Sequence, residues 1–302
     1  MAGREAAARD SGGRVENRLS TISELIRQAT AQLDDGSESP RGRSTVESLL
    51  AHVLGRPVSW LYAHAELYPA LDQIDAFHEL LRQLLAGVPP EYLTGRAAFH
   101  SIELLVTPAV LVPRPETETL VDLALERLAG RQRPRIADVG TGSGAIALAL
   151  AHARPDALIV ATELSSSALR VAARNVQEQR QEARVLLVQT DLLEGVDGRF
   201  DLVAANLPYV SDGDLEGVSA AVSRYEPWLA LAGGADGLDL MRRLLRQLPR
   251  QVRPGGWALL EIGAGQGQAA SEAARLAVPS AELRVLPDAW ERDRVLTLRF
   301  AG

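Results

Sequence analysis

From Arg135 to the end of the chain, short apolar runs alternate with helix-length amphipathic stretches, and this alternation limits the fold more than any other feature. The runs are Ile136–Val139, Leu158–Thr162, Val185–Gln189, Asp201–Ala205, Trp257–Ile262, Leu283–Leu286 and Arg294–Phe300. Helices are expected at about 145–153, 166–179, 237–252 and 266–276. Runs that stay apolar belong to strands buried on both faces, and strands separated by helices are parallel. Only Pro287–Arg292 joins the last two runs, too little chain for a crossover, so these two must be antiparallel. The expected architecture is an α/β doubly wound sheet of seven strands, mostly parallel, ending in an antiparallel hairpin.

The chain before this region reads differently. Thr21-Ile22-Ser23-Glu24 and Ser44-Thr45-Val46-Glu47 both have the spacing of a capping box and precede apolar residues. A third helix is predicted from Leu71 to Leu85, with Ile74, Phe77, Leu81, Leu84 and Leu85 on one face; Gly87-Val88-Pro89-Pro90 ends it. Such short amphipathic helices pack as a small bundle. Residues 93–112 alternate apolar and polar without a helical period and read as a hairpin. Arg114-Pro115-Glu116-Thr117-Glu118 then opens a helix to about Leu128. The expected organisation is a disordered tail at 1–18, a helical domain at 19–92, a linking hairpin at 93–112 and the α/β domain at 113–302.

Composition narrows the functional classes. A hydrophobic fraction of 46% over 302 residues is enough for a large core. A formal net charge of −7 argues against affinity by broad phosphate neutralisation, hence against direct nucleic-acid binding. With no cysteine there are no disulfides and no thiolate zinc sites, which fits a cytoplasmic protein. No apolar run approaches the ~20 residues of a membrane span, and the Ala-, Arg- and Gly-rich start lacks the apolar centre of a secretory signal. The five histidines are scattered without metal-ligand spacing, and Trp228 and Trp257 read as core residues.

The first apolar run ends in Asp138-Val139-Gly140-Thr141-Gly142-Ser143-Gly144. Glycines there let the backbone turn sharply and approach a ligand closely, with the next helix pointing its N-terminus at the loop. By itself the motif also satisfies a dinucleotide fingerprint. Glu163 ends the second run and can accept from ribose hydroxyls. Asp191 ends the third and can accept from an adenine amino group, with Leu192 beside the ring. Three acids after three successive strands lie where doubly wound sheets bind ligands.

Asn206-Leu207-Pro208-Tyr209 follows the fourth run. The Asn206 side-chain oxygen and the Leu207 backbone carbonyl can accept the two hydrogens of a planar –NH2 group. Pro208 fixes the turn, and Tyr209 supplies an apolar wall with a polar tip. An amide nitrogen is a poor nucleophile because its lone pair is delocalised, so such a loop would act by positioning. Joined to the glycine loop, it points to methylation of an amide or exocyclic amine nitrogen by S-adenosyl-L-methionine. Asn206 then stands at the meeting of the two sites, and the metal requirement is none. Arg114 and Glu116 can organise the acceptor cleft or serve the helix start. Arg224 and Glu226 can order the loop before them or form a surface ion pair.

These residues resemble the HemK/PrmC family, the protein-(glutamine-N5) methyltransferases of peptide release factors. The resemblance is carried by Pro90–Gly95, Thr107–Glu118, Asp138–Ala145, Arg224–Pro227, Gly233–Leu238, Arg253–Gly256 and Asp293–Val295. It implies a seven-stranded Rossmann-like methyltransferase fold and a helical N-terminal domain that helps embrace a protein substrate. It also implies methyl transfer to the glutamine of the Gly-Gly-Gln motif in class I release factors. The family's usual acceptor motif is Asn-Pro-Pro-Tyr; Leu207 replaces the first proline but keeps its carbonyl. Asn-Leu-Pro-Tyr is also the form of ribosomal-RNA adenine dimethylases. An adenine-N6 methyltransferase acting on RNA or DNA is therefore the alternative, ahead of a non-catalytic binding protein and an NAD oxidoreductase.

Overall fold

The computed structural model describes residues 20–33, 40–215, 217, 224–288 and 290–302. The expected tail at 1–18 lies outside the described residues. The chain divides into two compact units, Met1–Thr94 and Gly95–Gly302.

Among its described residues the first unit holds five helices: α1 (Ile22–Leu33), α2 (Pro40–Leu54), α3 (Val58–Ala63), α4 (Leu71–Leu85) and α5 (Pro90–Thr94). The Thr21 capping box is formed in both directions. The Thr21 amide donates to Glu24 Oε2 at 2.9 Å, and the Glu24 amide donates to Thr21 Oγ1 at 3.3 Å. The second expected box does not start a helix, because α2 begins at Pro40 and carries Ser44–Glu47 in its interior. Glu47 instead accepts from Arg43 Nε and from the Tyr62 hydroxyl, each at 2.8 Å. Helices α3 and α5, too short to show a period, were not anticipated. Ile22, Leu25, Leu49, Leu50, Leu61, Ile74, Phe77 and Leu81 form the buried core of this unit. Leu85, expected on the same face, is exposed.

The second unit opens with a hairpin, β1 (Arg96–Phe99) and β2 (Ile102–Leu105), and helix α6 (Pro115–Arg127). There follow β3 (Arg135–Val139), α7 (Ala145–Ala153), β4 (Leu158–Glu163), α8 (Ser166–Glu178), β5 (Val185–Gln189) and β6 (Phe200–Ala205). The chain continues through α9 (Asp212–Leu215), α10 (Asp239–Gln251), β7 (Val252–Glu261), α11 (Gly267–Ala277), β8 (Glu282–Pro287) and β9 (Asp293–Arg299). The seven-stranded sheet runs β5-β4-β3-β6-β7-β9-β8; the first five pair in parallel, and β9 is antiparallel to both neighbours.

Side chains of each strand alternate between two buried layers. Ile136, Leu202, Ala204 and Leu259 join α6 and α7 on one face. Ala137, Val203, Ala205 and Leu260 join α10 and α11 on the other. Phe99, Ile102 and Leu104 of the hairpin belong to the first of these layers, so the hairpin packs as part of the second unit. No helix among the described residues is long and apolar enough to cross a membrane.

Candidate active site

Strand β3 lies between β4, the next strand in the chain, and β6, which follows β5; the order of the sheet reverses there. Ligands of doubly wound sheets bind at that reversal, beyond the carboxyl ends of the strands. Val139 is in register with both Thr162 and Ala205, so the loops after β3, β4 and β6 leave the sheet at one level. A cavity of about 670 Å³ opens above them. Its wall includes Gly140–Ser143, Glu163, Asp191, Leu192 and Asn206–Pro208, together with Arg114 and Thr117 from the start of α6. Sequence-distant candidates are thus brought to one place.

The glycine loop shows why its residue types are needed. Gly140, Gly142 and Gly144 have φ of 74°, 56° and 87°, a backbone region that penalises a side chain. A Cβ on Gly140 would lie 3.0 Å from Leu207 Cδ2, whereas one on Gly142 would meet no protein atom within 4 Å. That open space on the cavity wall is what a close-lying ligand requires. Gly144 serves packing, since its Cβ would lie 3.3 Å from Leu148 Cδ1.

Asp138 is fully buried beneath the loop and is not on the cavity wall. Its Oδ2 accepts from Thr141 Oγ1 at 2.6 Å and from the Ala147 amide at 3.1 Å. Burial pushes its pKa up to about 6. Asp138 therefore shapes the loop from behind. Asn175, which the sequence did not single out, holds the loop from α8: its Nδ2 donates to the carbonyls of Ser143 and Leu105 at 2.8 and 2.9 Å.

Glu163 accepts from the Gly142 amide at 3.0 Å and the Ser165 amide at 2.8 Å, leaving lone pairs for ribose hydroxyls. Asp191 accepts from Arg243 of α10 at 2.7 Å. Leu192 adopts an uncommon left-handed backbone, φ 52°. Three carboxylates on the wall, Glu163, Asp191 and Asp239, disfavour a pyrophosphate and favour a ligand that carries positive charge, as S-adenosyl-L-methionine does at its sulfonium and ammonium groups. The residues present fit that cofactor.

On the acceptor side, Asn206 Nδ2 donates to Thr117 Oγ1 at 3.0 Å. Leu207 is buried, its side chain against the glycine loop. Tyr209 does not line the cavity, contrary to the expected apolar wall. Its ring packs beside Gly263, its hydroxyl lies 3.4 Å from Glu261 Oε1, and its carbonyl accepts from Gln266 Nε2 at 2.9 Å. Burial raises the Tyr209 phenol to about 12 and Glu261 to about 7. Glu261, at the end of β7, is 1% exposed, and its Oε2 has no hydrogen-bond partner. The sequence hid Glu261 because its strand reads as uninterrupted core.

Two further corrections concern the wall. Glu226 is buried and receives Arg114 Nη2 at 2.6 and 2.7 Å on its two oxygens, so the pair joins segments 112 residues apart and is no surface ion pair with Arg224. Arg224 lies instead over the Tyr225 ring, at 5.9 Å. Residues 216 and 218–223, part of the loop these were expected to order, lie outside the described residues. Trp228, expected in the core, is 59% exposed on a short 3-10 turn at the cavity rim, beside exposed Leu229. Trp257 is partly buried between the guanidinium groups of Arg127 and Arg299.

Comparison with known proteins adds an independent measure. Residues 24–95 match the PrmC N-terminal domain, and residues 117–222 match the Methyltransferase small domain. A release factor glutamine methyltransferase from Moorella thermoacetica is 43% identical over 276 residues, covering 91% of this chain and 96% of the relative. This chain belongs to the release factor glutamine methyltransferase family. A second member, from Xylella fastidiosa, is 40% identical over 86% of this chain and 94% of its own. The solved structure of a methyltransferase from Pyrococcus furiosus shares the fold, with a TM-score of 0.51 and 17% identity over 73% of this chain and 98% of that one. The α/β unit is thus the seven-stranded Rossmann-like fold of methyltransferases that use S-adenosyl-L-methionine. Membership in the release factor glutamine methyltransferase family spans both compact units, because the aligned stretch covers nearly the whole chain.

Proposed function

We infer that this protein transfers a methyl group from S-adenosyl-L-methionine to the side-chain amide nitrogen of the glutamine in the Gly-Gly-Gln motif of class I peptide chain release factors. The observation that carries this reading is the seating of Asn206 beside the glycine loop on one cavity wall, in a chain so similar to release factor glutamine methyltransferases. The helical unit at 19–92, continued to Thr94, would grip the protein substrate, and the α/β unit would carry the chemistry. A substrate that works in translation places the reaction in the cytoplasm.

When bound, the cofactor supplies an electrophilic methyl group on a sulfonium sulfur. Gly140–Ser143, Glu163, Asp191 and Leu192 would hold it, with Asp138 and Gly144 fixing the loop. Asn206 Oδ1 accepts one hydrogen of the glutamine –NH2, and the Leu207 carbonyl accepts the other. With both hydrogens held, the nitrogen can face only the methyl group, and orientation supplies most of the rate. Pro208 stiffens the turn, and Tyr209 anchors it through Gln266. The proton lost by the nitrogen already points at these two oxygens and passes to water, so no separate base is needed.

The test is to incubate the full chain with radiolabelled S-adenosyl-L-methionine, a class I release factor and total RNA. Label on the release factor that disappears when Gly-Gly-Gln is changed to Gly-Gly-Ala is the expected result. Label on RNA alone would overturn the reading in favour of adenine, the acceptor that Leu207 by itself favours.

A further inference from the structure

Asn206 can offer an acceptor –NH2 either its oxygen or its own –NH2, and only one of these is useful. A half-turn of the side-chain amide exchanges them with little change in shape. Something in the fold has to choose. The adjacent strand ends supply the means. Ala205 and Leu260 are in register on β6 and β7, which brings Asn206 and Glu261 side by side one residue later. Thr117, in the first turn of α6, closes the group: it is 4% exposed, and its hydroxyl lies 3.0 Å from Asn206 Nδ2.

A threonine hydroxyl has one proton and two lone pairs. The buried Glu261 carboxylate has an oxygen without a partner, and the neighbouring Thr117 hydroxyl favours its ionised form. If the single hydroxyl proton points to Glu261, the hydroxyl can only accept from Asn206. The Asn206 –NH2 is then drawn to Thr117, and its oxygen is left for the acceptor. The flipped amide would set donor against donor at the substrate nitrogen and acceptor against acceptor at the Thr117 hydroxyl.

We propose that Thr117 is a positioning residue that, backed by Glu261, locks the Asn206 amide with Oδ1 toward the acceptor nitrogen. The proposal rests on the methyl-transfer reading above. It assigns a task to a threonine that otherwise looks like an ordinary first-turn helix residue.

The experiment compares Thr117→Val, which keeps the shape and removes the hydroxyl, with Thr117→Ser, which keeps the hydroxyl. Turnover on a release factor, KM for it, cofactor affinity by calorimetry and thermal stability are measured on the full chain. Expected for Thr117→Val is a fall in kcat of about a hundredfold, the scale of a misplaced reacting group, with cofactor Kd and KM within about twofold of the parent. Thr117→Ser should recover kcat to within about fivefold. Should Thr117→Val not fold, Thr117→Ala takes its place. Near-parental turnover without the hydroxyl, or equal losses in the Ser and Val variants, would overturn the lock. An unaltered chain that leaves the release factor unlabelled would instead overturn the methyl-transfer reading, and the lock with it.

Discussion

Leu207 is where this chain departs from the usual family motif, and its surroundings show how the departure is tolerated. The side chain is buried and reaches to 3.0 Å of where a Gly140 Cβ would be, so it fills space between the two loops that form the site. Leu207→Ala should cost about 2–5 kcal/mol of stability, as for other buried leucines, seen as a lowered unfolding midpoint. Gly140→Ala should be harmful for the complementary reason, combining a clash with Leu207 and a left-handed backbone that costs about 1–2 kcal/mol. Asn206→Ala should abolish transfer while calorimetry still detects cofactor binding; near-normal turnover would refute positioning by its side chain. Glu261 adds a pH dependence. Thr117 and Tyr209 adjoin it, Arg294 favours its charged form and Glu116 its neutral form. As pH falls through about 7 it becomes protonated, gains a proton to donate toward Thr117, and turnover should fall with an apparent pKa near that value. A pH–rate profile checks this, and Glu261→Gln should remove the inflection.

The N-terminal turn of α6 ties several elements to the cavity. Arg114 just before it holds buried Glu226, Thr117 holds Asn206, and Glu118 Oε1 accepts from the His100 amide of the hairpin at 2.7 Å. Glu116 and Glu118 also place carboxylates where a helix dipole favours them. Arg114→Ala takes the guanidinium away from a buried carboxylate and should lower stability, seen as a lowered unfolding midpoint. The expected readout is faster proteolysis near Glu226 and weaker turnover. Asn175 works in the same way from α8, joining the hairpin to the glycine loop through one side-chain amide.

Across the whole molecule, the two compact units have separate cores, with the first unit's core in its own helices and the second's on the two faces of the sheet. A fragment of residues 95–302 should therefore fold and bind cofactor with near-parental affinity, and lose turnover on a release factor; calorimetry and the labelling assay check both. Buried carboxyls set part of the stability profile. Asp138 and Glu261 are raised from 3.8 and 4.5 to about 6 and about 7, so the folded state binds more protons than the unfolded one between those limits. Their contribution is fully present below about pH 4 and is lost as pH rises through 6 and 7. The seven strands, the antiparallel end of the sheet and the nearness of Gly140 to Asn206 were all legible in the sequence, because period and loop length act locally. So was the family, through segments such as Thr107–Glu118. The sequence alone did not show that Asp138 stands behind the wall, that Tyr209 turns to Glu261, that Trp228 sits at the rim, or that α2 starts before Ser44. Asp138 is held inward by its own loop and helix, Tyr209 meets Glu261 across 52 residues, and Trp228 sits on a turn too short to carry a period. Thr117, Asn206 and Glu261 lie on three separate elements, and only the packing of α6 over β6 and β7 gives one hydroxyl both neighbours.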